Sequence, residues 1–473
     1  MRLAMYRRKS QNPAKSVGQV SLSLNVFFLL LHIGLAFLFK EVKFFSTIHA
    51  LLVLFLGLYT ALTAKDLVEV IPFGSYIIGA EVLWRMSKAD VFWEYGKYAI
   101  VLLFLVAMFK QKKPLKNLLW PLFSFLLLLP SIFLTLNSFG LTTKFRDTLS
   151  FTLSGPLSLV VCVIFFSQVS MNRETWIKTI WAAVYPIIGI LSLAVESTLT
   201  ATRIVFGSES VFETSGGFGP NQVSAILGLG ALLLILYAIQ PGKIKGKILA
   251  LTLSLLLIIQ SFLTFSRGGI INLVFAVGAA FIFLLRSPSR IVRPLFVLFI
   301  ILVIIGTIVF PQLEELTGGA LLARFTDLDP VSRIDLARMD IDLFQTNPVA
   351  GVGPGMSTLL RPKLSNIASH TEYSRILAEH GLLGVVSFLI LFILLIKTLF
   401  TTKSAMIQAL LVASAGWAAV EMTHSAMRIV AISFMFGLAF VTFDLEDELP
   451  SDQERKTSRF HGFHRFRKRF HGR

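Results

Sequence analysis

The residues best suited to chemistry in this 473-residue chain are arginines and one histidine. Between Pro311 and Glu379 stand Arg324, Arg333, Arg338, Arg361, Lys363 and Arg375 among nine acidic residues, so five of six cations are arginine. A guanidinium offers a planar fork of donors that grips phosphate bidentately and never loses its charge. The same charges also fit a folded surface loop laced by its own salt bridges. Arg338 and Asp342 are four apart and Arg375 and Glu372 three apart, both helical pairing distances, and Arg324 lies near Asp327. One more arginine, Arg267, sits in Thr264-Phe265-Ser266-Arg267-Gly268-Gly269, a connection between two apolar runs too short for anything but a tight hairpin. It is either a side chain snorkelling to the interface or a functional cation held at the membrane boundary.

Ser369-His370-Thr371-Glu372 has capping-box spacing. This predicts a helix with Ser369 as N-cap that runs to His380 and ends at Gly381. His370 would occupy the first turn, where the helix dipole disfavours an imidazolium and attracts anions. A neutral imidazole there can take a proton from a hydroxyl; the other reading is an interfacial histidine that meets local hydrogen bonds. Asp329-Pro330 predicts the start of a helix over 331–345, with Arg333 and Arg338 at its start and middle and Asn347-Pro348 as its stop. Gly351-Val352-Gly353-Pro354-Gly355 could bring backbone N–H groups to phosphate, but Pro354 removes one donor and spacing alone favours a plain turn. His424 and Arg428, four apart, anchor a last span or touch an acceptor; Arg146 and Arg203 could do either job.

The elements that must position these residues are membrane helices. The chain is 55% hydrophobic and 15% charged, against about 25% charged in soluble domains. That excludes an ordinary soluble enzyme, a disordered chain and a disulfide scaffold; the single Cys162 reads as a small buried hydrophobe. The formal charge of +17 fits loop topology and anionic lipid better than nucleic acid. Thirteen apolar runs are long enough to cross, from 20–39, 44–63 and 91–109 through 118–135 and 150–170 to 427–443. The first reads as a membrane helix and not as a cleavable signal. Basic loops at Lys110/Lys112/Lys113/Lys116, Arg173/Lys178, Lys243/Lys245/Lys247, Arg286/Arg290/Arg293 and Lys397/Lys403 follow every second span, as the positive-inside rule requires of cytoplasmic loops. With basic segments at both ends, both termini should be cytoplasmic, yet thirteen is odd. Either Leu67–Trp84 is an additional, poor span, made awkward by Glu69, Pro72 and Glu81, or one run is broken.

The expected fold is an all-α integral membrane protein, a polytopic bundle of about 12–14 transmembrane helices with a large helical extracytoplasmic loop between late spans. Its parts are a basic N-terminus (1–19), N-terminal spans (20–310), the outer loop (311–381), C-terminal spans (382–443) and a charged tail (444–473). Phenylalanines interleave the basic tail, which reads as resting on anionic lipid.

Four ordered segments resemble the O-antigen ligase/polymerase superfamily. They are Gly216-Gly217-Phe218-Gly219-Pro220-Asn221; Phe265-Ser266-Arg267-Gly268; Ser332-Arg333 followed by Asn347-Pro348-Val349-Ala350-Gly351-Val352-Gly353; and His370-Thr371-Glu372-Tyr373 running into Glu379-His380-Gly381-Leu382-Leu383-Gly384. They cover about residues 210–400. Trp84-Arg85-Met86 and Trp93-Glu94-Tyr95-Gly96-Lys97-Tyr98 look like a subfamily feature. The resemblance implies a glycosyltransferase of the inner membrane that takes a glycan from an undecaprenyl-pyrophosphate carrier outside the cytoplasm. It would pass that glycan to an acceptor hydroxyl: a lipid A-core sugar for a ligase, another carrier-linked repeat for a polymerase, or a protein. Carried over by position, Arg267 and Arg333 would bind the pyrophosphate and His370 would activate the acceptor. Arg338, Arg324, Arg375, Glu372, Asn221 and Gly353 would contribute to substrate binding. The implied mechanism needs no metal or cofactor, and the partners are the lipid-linked donor, the acceptor and membrane lipid. A transporter of lipid-linked sugar would favour internal repeats and midplane charges, and no repeat is evident.

Overall fold

The computed structural model describes residues 22–112, 118–240, 243–286, 288–326, 331–361 and 367–443, without the side chains of 288–290, 293 and 331–333. The segments 1–19 and 444–473, the Asp329-Pro330 helix start, Asp327, Lys363 and the side chain of Arg333 therefore lie outside the described residues. The fold is all-α and polytopic, with nine helices among the described residues long and apolar enough to cross a membrane.

Two lipid-facing helices open the chain, α1 (Leu22–Glu41) and α2 (Lys43–Thr63). They lean on α3 (Ile71–Met86), which continues a 3₁₀ turn over Leu67–Val70. One directional hydrogen-bond chain joins all three. Trp84 Nε1–H donates to His49 Nδ1 (2.9 Å), which leaves His49 Nε2–H to donate to Tyr76 Oη (2.9 Å). Tyr76 O–H then donates to His32 Nε2 (2.9 Å), and His32 Nδ1–H to the Phe28 carbonyl (2.7 Å). Each polar group in this apolar setting thus has a partner, as burial demands.

Leu67–Met86 is a candidate crossing segment. The residues that made it awkward all have local explanations. Asp66 and Glu69 form a capping box, Pro72 stands in the first turn of α3, and Glu81 is ion-paired to Arg85 (2.7 Å). α4 (Tyr95–Gln111) follows.

The expected span 118–135 is broken into α5 (Leu119–Leu126) and α6 (Ile132–Phe139). Pro130 lies in the break, and the freed polar groups are met from a distant segment. His380 Nδ1 stands 2.6 Å from Ser131 Oγ and 3.2 Å from the Leu128 carbonyl oxygen. α7 (Thr143–Phe166) and α8 (Arg173–Thr200) come next, then α9 (Pro220–Ala238), the most enclosed span, α10 (Ile244–Leu263) and α11 (Gly268–Leu284). α12 (Pro288–Ile304) passes through a π turn into α13 (Phe310–Leu316).

The long loop contains α14 (Ala320–Thr326), α15 (Val331–Thr346) and α16 (Ser357–Leu360). α17 (Glu372–Thr401) re-enters the membrane and is broken at Gly381 (φ 61°, ψ −146°). α18 (Ala405–Glu421) and the short α19 (Ala431–Leu438) complete the bundle. Thus the expected last span 427–443 is half turn and half helix. α19 runs alongside α7, with Ser158 Oγ 2.7 Å from Ser433 Oγ and Gly437 packed on Cys162. Two-residue strands, β1 (Ser170–Met171) and β2 (Thr442–Phe443), pair in parallel where the two helices end.

Candidate functional site

The turn before α11 is built around the Arg267 motif. Phe265 adopts a left-handed backbone (φ 54°) while its buried ring packs on Phe206, 4.8 Å between centroids. Ser266 Oγ donates to Asn221 Oδ1 (2.8 Å), and Ser224 Oγ donates to the Ser266 carbonyl (2.9 Å). Of the glycines after Arg267, Gly269 is a steric requirement against backbone, and Gly268 leaves room for the His424 ring. A Cβ on Gly269 would stand 2.0 Å from the Ser224 carbonyl oxygen, and one on Gly268 would stand 2.6 Å from His424 Nε2. Arg324, on α14, donates from Nε to the Phe265 carbonyl (2.9 Å) and from Nη1 to the Ser208 carbonyl. Arg267 in turn reaches the Arg324 carbonyl (3.5 Å). The structure therefore gathers Asn221, Arg267 and Arg324 in one place, with Arg324 bracing the turn that carries Arg267.

The start of α17 differs from the capping-box expectation. Thr371 is the N-cap and Glu372 the first helical residue, so His370 precedes the helix. Ser369 does not cap the helix; its hydroxyl is engaged by a buried ion pair. Arg361 grips Asp340 through Nε (3.0 Å) and Nη2 (2.7 Å) and also donates to Ser369 Oγ, while Ser369 and Ser374 donate to Asp340 Oδ2 (3.2 and 2.7 Å). This knot pins α15 to the residues on either side of His370. Glu372 instead pairs with Arg375, which also binds Glu379 (2.7 Å) and the Thr152 carbonyl (3.2 Å). Gly353 (φ 100°) donates its N–H to the Glu379 carbonyl (3.0 Å) and sits too close to Thr135 for any Cβ. Arg338 is exposed and pairs with Asp335 (3.7 Å), not with Asp342 as its spacing suggested. Arg333 lies in the first turn of α15, its side chain outside the described residues.

The end of α18 joins the two parts. The Glu372 N–H donates to the Met422 carbonyl (2.8 Å), and Tyr373 Oη to the Ala419 carbonyl (3.0 Å). From the opposite side Asn272 donates to Glu421, whose carboxylate lies 3.1 Å from His424. His424 in turn abuts Gly268. The segments carrying His370 and Arg267 are thus docked on the same four residues, 421–424.

Beside this junction lies a cavity of about 550 Å³. Lys144, Asp147 and Thr152 of α7, Thr358, Ser369, Arg375, Glu379 and the Ala426–Arg428 turn contribute to its wall. Among the described residues, Ser369 brings the chain to its edge, next to His370; neither His370 nor Arg267 lines it. A second, open groove of about 1040 Å³ shares Asp147 and Phe151 with it and is walled by Phe92, Trp93, Tyr98 and Phe145.

Residues 252–389 match the family model described as O-antigen ligase. This segment is of the O-antigen ligase superfamily. It runs from α10 through Arg267 and the outer loop into α17. No curated protein matches the chain. Several polar residues around the site fall outside the ligase segment, and sequence reasoning gave them no role. Glu81 and Lys97 are buried, the Arg85 side chain is 7% exposed beside Glu81, and Arg85 donates to Gln222 Oε1 (2.7 Å) and to the Arg428 carbonyl (3.0 Å). The Glu81-x-x-x-Arg85 spacing was the available signal. Among the described residues, no group of three or more His, Cys, Asp or Glu could hold a metal ion.

Proposed function

We propose that this multi-pass glycosyltransferase-type enzyme transfers a glycan from an undecaprenyl-pyrophosphate carrier to a lipid A-core sugar, as a ligase at the outer face of the inner membrane. The observation that carries the reading is the docking of the Arg267 turn and the His370 segment on residues 421–424 within a superfamily match. Arg267 and Arg333 hold the pyrophosphate, and Arg324 steadies the Arg267 turn. The acceptor oxygen attacks the anomeric carbon as its bond to the carrier phosphate oxygen breaks. His370 takes the acceptor proton, and the arginines stabilise the charge that develops on the departing pyrophosphate. On this reading both termini lie in the cytoplasm, as the positive-inside rule assigns them from the basic loops.

Purified protein with undecaprenyl-pyrophosphate-linked glycan and lipid A-core tests this directly. A single discrete shift of the lipid A-core band is expected. His370→Ala should slow transfer about a hundredfold or more, the usual loss when a general base is removed, with expression and insertion unchanged. A ladder formed from donor alone would instead make the protein a polymerase, and undiminished transfer in His370→Ala would remove the base assignment.

A further inference from the structure

Two consecutive non-glycine residues in the cavity wall, Ala426 and Met427, hold left-handed backbone at φ 41° and 46°. Side chains disfavour this region, so it persists only where the surroundings over-determine it. The restraint comes from the far end of the sequence. Glu81 Oε2 accepts the Val430 N–H (2.7 Å), and Arg85 Nη1 donates to the Arg428 carbonyl (3.0 Å). The two ions bind each other (2.7 Å), and Arg85 also donates to the Trp93 carbonyl (2.8 Å) and lies over the Trp93 ring, 4.5 Å from its centroid. Their side chains are only 7% and 3% exposed. α4 closes over the pair at Gly96, where a Cβ would stand 2.8 Å from the Glu81 carboxylate. From the other side Met427 packs on Gly155, whose Cβ would stand 2.9 Å from that of Met427.

An i,i+4 pair that merely neutralised itself inside a helix would need neither backbone group flanking Ile429. Here both ions direct hydrogen bonds to that backbone, one as acceptor and one as donor. The geometry points to Glu81 and Arg85 as positioning residues that clamp Ala426–Val430 and so aim Arg428 at the anionic head group of the lipid-linked donor. This assignment rests on the transferase reading above and adds Arg428 to the residues that meet the donor. Lys97, buried on α4 beside them, donates to Ser154 Oγ of α7 (3.3 Å).

The test combines donor kinetics with a measurement that needs no turnover. Glu81→Gln and Arg85→Lys each weaken a hydrogen bond to a charged group, so the KM for undecaprenyl-pyrophosphate-linked glycan should rise about tenfold. The acceptor KM should not move. Arg428→Ala, which keeps the clamped carbonyl, should raise the donor KM similarly. In parallel, Ala426→Cys is labelled with a water-soluble maleimide; Cys162 is fully buried. Labelling should quicken when Glu81→Gln or Arg85→Lys is added and stay unchanged with Arg428→Ala. Unchanged labelling in both clamp variants would overturn the clamp, and a normal donor KM in Arg428→Ala would overturn the aiming of Arg428. If the wild-type protein transfers nothing, the transferase reading falls and labelling alone decides the clamp.

Discussion

Leu67–Met86 and Pro294–Leu316 are both long enough to cross a membrane, and they meet opposite surroundings. In the most apolar stretch of each, 72% of the first is buried inside the protein and 17% of the second. The first is the less apolar of the two and carries Glu81 and Arg85; the second has no charged residue before Glu314. Lipid accepts any apolar side chain, so a span that faces lipid can be uniformly hydrophobic and still specify little. A span that faces protein can carry ions because neighbouring segments supply their partners, and such ions mark functional sites. The segment hardest to read as a membrane helix is the one wired to the cavity.

Removing a charge from the buried span should have the largest effect on stability. Glu81→Ala leaves Arg85 enclosed without its carboxylate partner and should cost roughly 3–5 kcal/mol, the usual penalty for breaking a buried ion pair. Thermal unfolding of the detergent-solubilised protein, followed by tryptophan fluorescence, measures it. An unchanged midpoint would mean that water or lipid reaches Arg85, and the contrast between the two spans would collapse.

A smaller loss should follow where α3 touches α8. Ser75 Oγ donates to the Thr179 carbonyl (2.6 Å), and a Cβ on Gly79 would stand 2.2 Å from the Ala183 carbonyl oxygen. Gly79→Val must push the two helices apart, and overpacking of this kind costs about 1–3 kcal/mol. The same unfolding assay reads it; equal stability would show that the helices slide without penalty.

The same contrast explains how much the sequence disclosed. The all-α polytopic class was legible because uniformly apolar runs announce themselves by length. The segment match to the O-antigen ligase superfamily was legible because Phe265-Ser266-Arg267-Gly268 and its companions are local patterns. Partnerships were not. Nothing adjacent to Ser369 shows that its hydroxyl is held by Arg361 and Asp340, so capping-box spacing moved the helix start two residues early. Likewise Pro130 broke the expected 118–135 span because Ser131 and His380, 249 positions apart, meet in the break. Glu81 looked like a defect because its partners, Val430 and Arg428 through Arg85, lie near the other end of the chain.

The smallest effect is expected on the lipid-facing span. Leu302 is 59% exposed on α12. Lipid tails surround this side chain whether or not α12 is packed against the bundle, so truncation removes little that folding had gained. Leu302→Ala should shift stability by no more than about 0.5 kcal/mol, the range of substitutions away from packed features, with transfer activity unchanged. A loss as large as that of Glu81→Ala would require a protein surface against α12. A second copy of the chain or another membrane protein would supply such a surface, and chemical cross-linking in native membranes, compared between Leu302→Ala and wild type, would detect it.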